Sequence, residues 1–158
     1  MRIVVGLMLV RITCSTAPDR AADSIGIWNV SPMRSMNPYP HSLTVRFQKH
    51  ARGEVFALDR TDAKGWITAS STILHFDGEA RDYRNGTCSG TQSSRRVDRQ
   101  TIEILQRCAT DESTRFVRRA SGWSRELILD ISEEHPDGHV LRRHLILGDN
   151  AAIRKLEP

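Results

Sequence analysis

Long apolar runs are missing from this 158-residue chain. The longest, Ile3 to Val10, falls well short of the roughly 20 residues that a membrane-spanning helix needs. No segment carries apolar residues at a sustained helical spacing, which argues against a helical bundle. Aromatic residues make up only 6% of the chain, which limits any large greasy pocket. Cysteine occurs three times, too few for a disulfide-dense scaffold or an all-thiolate metal site. No nucleophile elbow or activated base stands out, so no enzymatic activity is expected.

What is present is a succession of short segments of alternating polarity, separated by turn residues. Leu43, Val45 and Phe47 alternate with Thr44, Arg46 and Gln48, the period of a strand with one wet face. His50 to Gly53 turns the chain into a return strand, Glu54 to Asp59. Asp62 and Gly65 mark the next turn, and Trp66 to Phe76 reads as a long strand. Asp77-Gly78 is a hairpin signal, and Ala80 to Tyr83 a short strand after it. Gln92 to Val97 and Thr101 to Cys108 read as a further hairpin. Thr114 to Arg119, Arg125 to Ser132 and His139 to Leu147 complete the series. Tight turns between successive strands make them antiparallel. Nine to ten such strands predict an all-β fold, an antiparallel up-and-down β-barrel, because closure removes exposed edges.

One domain is expected over residues 25–148. Residues 1–24 read as a weak export signal and linker: Arg2, a short apolar stretch, then small residues to Ala17. Arg11 interrupts the apolar part. Residues 149–158 read as a polar tail. Export would place the chain in the periplasm or outside the cell. Cys88 and Cys108 would then be free to form a disulfide, the alternative being two buried thiols.

The net charge is +4, with arginine pairs at Arg95-Arg96, Arg118-Arg119 and Arg142-Arg143. Adjacent strand residues point to opposite faces, so no pair makes one flat patch. A solvated exterior is expected, with an anionic envelope surface as a possible partner and nucleic acid excluded. The histidines, His41, His50, His75, His135, His139 and His144, show no metal-ligand spacing. No metal or cofactor is expected. Ser70, Ser71 and Thr72 precede His75, but Ser and Thr suit strands for packing reasons alone.

Gly26-Ile27-Trp28 opens the first strand of this meander. A Gly-x-Trp there resembles the signature of the lipocalin and calycin superfamily. Arg34-Ser35, Asp62-Ala63-Lys64-Gly65, Phe76-Asp77-Gly78 and Val97-Asp98-Arg99-Gln100-Thr101-Ile102-Glu103 follow in order. Together they resemble a set of small exported bacterial lipocalin-like proteins over residues 25–147. That resemblance implies a barrel closed at one end by Gly26 and Trp28, with an arginine of the last strand over the indole. Arg143, sharing a face with Leu141 and Leu145, is the candidate, and cation–π attraction is the physical reason. It also implies a binding function, a small apolar or amphipathic ligand held among Trp66, Phe47, Phe56 and Phe116. The alternative is a structural or interaction protein of the cell envelope with a solid core.

Overall fold

The computed structural model describes residues 25–36, 42–86, 88–121 and 126–149. The expected export signal, the tail beyond Asp149 and Cys14 lie outside the described residues. The chain forms ten strands: β1 (Gly26–Val30), β2 (Ser42–His50), β3 (Gly53–Thr61), β4 (Ile67–Leu74), β5 (Arg81–Asn85), β6 (Cys88–Arg96), β7 (Thr101–Cys108), β8 (Ser113–Ala120), β9 (Glu126–Glu134) and β10 (Val140–Asp149). One short 3-10 turn, Pro32–Arg34, follows β1.

The strands make a single antiparallel sheet in the order β4-β3-β2-β1-β10-β9-β8-β7-β6-β5. β1 pairs with β10 through Trp28↔Asp149, Asn29↔Gly148 and Val30↔Leu147. That ladder joins the two ends of the sequence and rolls the sheet into a nearly closed, all-β barrel.

Alternation is what the register preserves. Leu43, Val45 and Phe47 face inward on β2, Leu127, Leu129 and Ile131 on β9, and Leu145 and Leu147 on β10, all at most 3% exposed. Their outward neighbours on β2 are Thr44, Arg46 and Gln48, whereas Ile128 and Ile146 face each other on the outer wall between β9 and β10. Fifteen buried residues, from Trp28 to Leu147, form one contiguous apolar cluster. Gly53, at φ +142°, lies where an added Cβ would fall 1.9 Å from the Leu74 carbonyl oxygen, so the β2–β3 turn can pack against β4 only with glycine.

One expected hairpin is corrected. Asp77-Gly78 does not join two paired strands: β4 and β5 are the two free edges of the sheet. The connection folds over the end of β6 instead. Asp77 bridges Arg95, and the Gly78 N–H donates to the Ser94 carbonyl at 2.9 Å. Phe76, at φ +62°, turns its ring beneath Arg96, whose guanidinium carbon lies 4.4 Å from the ring centre. Side chains span part of the seam between β4 and β5. Gln92 Nε2 donates to Thr72 Oγ1 at 2.9 Å, and Ser94 Oγ accepts the Phe76 N–H at 3.1 Å.

The outer wall carries ion pairs across neighbouring strands. Glu103 accepts from Arg95 Nε and Arg115 Nε, each at 2.5 Å. The Arg115 hydrogen bond is the main cause of a carboxyl held below the usual range; partial burial opposes it and Arg95 reinforces it. A depressed carboxyl stabilises the fold above its unfolded pKa, and the contribution is lost as pH falls through the folded value. Urea midpoints should therefore drop as pH falls from about 5 to about 3. Glu103→Gln should show a shallower acid slope; an unchanged slope would remove Glu103 from the explanation.

Candidate functional site

The interior changes character along every strand that crosses it. Name as the plugged end the one holding Gly26 and the β2–β3 turn, and as the open end the one holding the β3–β4 and β7–β8 turns. From plugged to open end, inward residues run Phe56, Leu58, Arg60 on β3 and Leu74, Thr72, Ser70 on β4. They run Ile102, Ile104, Gln106 on β7 and Leu145, Arg143 on β10. Apolar side chains fill one half of the barrel, and polar ones line the other.

The plugged end holds a buried ion cluster. Arg118, 2% exposed, donates from Nη1 to Glu54 Oε2 at 2.7 Å. Arg96 donates to Glu54 Oε1 at 3.1 Å. The Arg118 guanidinium carbon lies 4.2 Å from the centre of the Phe47 ring, a cation–π contact. Burial lowers the Arg118 pKa, and Glu54 opposes that shift. Phe47 stacks on Phe56 at 5.2 Å, and Phe56 meets Phe116 edge-on at 5.5 Å.

This cluster corrects the expected role of Arg143. Asp149 lies opposite Trp28, and Arg143 is six residues before it on β10, about 20 Å along the strand at 3.3 Å per residue. Arg143 does face inward, as its parity requires, but its Nε lies 3.7 Å from Glu133 in the open half. Trp28 is buried at 6% exposure, and Gly26 sits against its indole nitrogen. Among the described residues, the arginines over aromatic rings at the plugged end are Arg118 of β8, over Phe47, and Arg96 of β6, over Phe76.

The open half contains a cavity of about 190 Å³. Its apolar wall is Phe56, Leu58, Phe116 and the Cys88–Cys108 pair; its polar wall is Ser70, Thr72, Tyr83, Asn85, Gln106 and Thr114. Arg60, Glu112 and Glu133 stand toward the opening. The two cysteines are joined as a disulfide with Cα atoms 5.1 Å apart, which resolves the choice left open by the sequence. Gln106 Nε2 donates to Gln92 Oε1 at 2.9 Å, and Gln92 donates on to Thr72, a polar chain running from the cavity wall to the seam. Burial raises the Tyr83 pKa, while hydrogen bonds to Asn85 and Gln106 and the nearby Arg60 charge pull it back.

Of the expected lining residues, Phe56 and Phe116 reach the cavity. Phe47 is fully buried beneath Arg118. Trp66 is corrected outright: it is 72% exposed, beyond the rim, because β4 begins only at Ile67. The polar wall escaped the sequence reading. Its signal was the inward parity of Gln106 after Ile102 and Ile104, and of Thr114 before Phe116.

His144 Nδ1 lies 2.6 Å from Asp130 Oδ1, a His–carboxylate pair, but it sits on the outer wall. Arg119 pairs with the same carboxylate. Ser70 and Thr72 face the cavity, whereas His75 follows β4 at the plugged end. Among the described residues, no group of three or more His, Cys, Asp or Glu side chains could hold a metal ion.

The fold is an antiparallel up-and-down β-barrel of ten strands with a plugged base and a lined interior. Among solved structures it is similar to a fatty acid binding protein of Schistosoma mansoni in complex with arachidonic acid. The TM-score is 0.53 and the identity 12%, over 82% of this chain and 96% of that one. A zebrafish ileal bile acid-binding protein complexed with cholic acid gives a TM-score of 0.49 at 9% identity, over 79% of this chain and 97% of that one. No family model matches the chain, and no curated protein matches it. At 12% identity the likeness is one of fold.

Proposed function

We propose that this chain is an exported, non-enzymatic binding protein that holds one small amphipathic molecule in the open half of its barrel. The observation that carries this reading is the interior gradient, apolar at depth and polar toward the mouth. A ligand would set its apolar part on Phe56, Leu58 and Phe116, where leaving water is favourable. Its polar end would exchange hydrogen bonds with Tyr83, Gln106, Ser70 and Thr114, replacing those lost on desolvation.

Size narrows the class. At about 190 Å³ the cavity lies below the range usual for drug-sized ligands. A volume of this size favours a short amphipathic molecule over a long acyl chain. Export is supported by the Cys88–Cys108 disulfide, since oxidising compartments preserve such bonds. The alternative, an envelope interaction protein with a solid core, fits the plugged half of the barrel but leaves the polar-lined cavity without a use.

Native mass spectrometry of the protein purified from its own host tests the binding. A retained small molecule is expected. Thr114→Phe should fill the cavity and abolish retention, and Gln106→Leu should weaken binding about tenfold by removing a polar partner. Protein that emerges empty, or a Thr114→Phe variant that keeps its ligand, would overturn the proposal.

A further inference from the structure

The β3–β4 hairpin tip places two large apolar residues in water side by side. Trp66 is 72% exposed and Ile67 is 69% exposed. The turn that presents them is tightly bonded. Asp62 Oδ1 accepts the N–H groups of Lys64 at 2.8 Å and Trp66 at 2.9 Å. The Asp62 N–H donates to the Trp66 carbonyl at 3.0 Å, and the Gly65 N–H to the Asp62 carbonyl at 3.0 Å. Trp66 continues the inward parity of Thr68, Ser70 and Thr72, while Ile67 has the opposite parity, so the tip is apolar on both faces. It projects past the rim beside Arg60 and Ser70, which line the cavity.

We infer that this tip is a docking element that seats the open end of the barrel on an anionic lipid surface. Indole is suited to the headgroup level, where one part of the ring is apolar and the N–H stays wet. Ile67 adds apolar area to be buried. The negative charge of Asp62 is engaged by the turn's own N–H groups, while Lys64 is exposed at the tip. Arg60 and Lys64 give the hairpin itself a local positive charge, which complements an anionic membrane within a Debye length. Docking stands on the tip alone; its use, passing ligand between the lipid interface and the cavity, rests on the binding function proposed above.

Flotation of the full chain with phosphatidylcholine vesicles, with and without phosphatidylglycerol, tests docking. The chain should float with the phosphatidylglycerol vesicles and be released by high salt. Trp66→Ser with Ile67→Ser should lower the bound fraction at least about tenfold, and Lys64→Glu should lower it about fivefold or more. All three side chains are exposed, so urea midpoints should stay put. Ligand retention should also be unchanged, which separates a failure of docking from a failure of binding. A chain that ignores both vesicles, or a double variant that floats like the parent, would sink the inference. So would a dimer in sedimentation velocity that the double variant dissociates, because the tip would then serve a second copy.

Discussion

Replacing Glu54 with alanine should lower the free energy of unfolding by about 3–5 kcal/mol, the loss expected when one partner of a buried pair is removed. The reason lies in what remains. Arg118 is 2% exposed, and without Glu54 its charge stays in the core beside Phe47 with no carboxylate to balance it. Arg96 is half-exposed and can turn to water. The opposite change, Arg118→Met, should cost less, because Glu54 keeps its bond to Arg96. Combining Glu54→Leu with Arg118→Met should recover much of the loss, since well-packed apolar replacements of buried pairs are often neutral. Urea unfolding of the three variants at neutral pH measures the order. A Glu54→Ala loss below about 1 kcal/mol, the scale of a surface pair, would mean that the plugged end is wetter than its geometry implies.

Breaking the Cys88–Cys108 disulfide should cost about 3 kcal/mol. The bond closes a loop with a sequence separation of 20, and the chain-entropy relation gives about that figure for a loop of this length. Cys88→Ser, Cys108→Ser and the double variant should lose the same amount, since each removes one cross-link. Wild type with reductant should unfold at the midpoint of the double variant. The bond ties the start of β6 to the end of β7 at the cavity wall, so ligand retention should fall with stability. Unequal single variants, or a wild type indifferent to reductant, would argue against a formed bond.

Much of the wall was legible from local pattern. Leu43, Val45 and Phe47 announce β2, and Thr101 to Cys108 is β7 to the residue, because side-chain direction in a strand depends only on parity. Turn chemistry located His50–Gly53 and Asp62–Gly65 for the same reason: the residues that allow a tight turn act through their own backbone. Asp77-Gly78 misled because a turn signal fixes where the chain bends, not which strands pair afterwards. Trp66 misled because parity cannot say where the rim lies. Arg143 was assigned the right face and the wrong height.

Parity, turn positions and the scarcity of helical spacing, all local properties, determined by themselves that this chain makes an antiparallel β-wall with one apolar face. The tertiary structure decided the rest. Which arginine plugs the base, which edges remain unpaired at β4 and β5, and where the apolar filling gives way to Tyr83 and Gln106 all depend on the register of strands far apart in sequence. A shift of two residues leaves every side chain on its own face yet moves it by nearly 7 Å along the barrel, so alternation alone is blind to the height at which Arg118 meets Glu54.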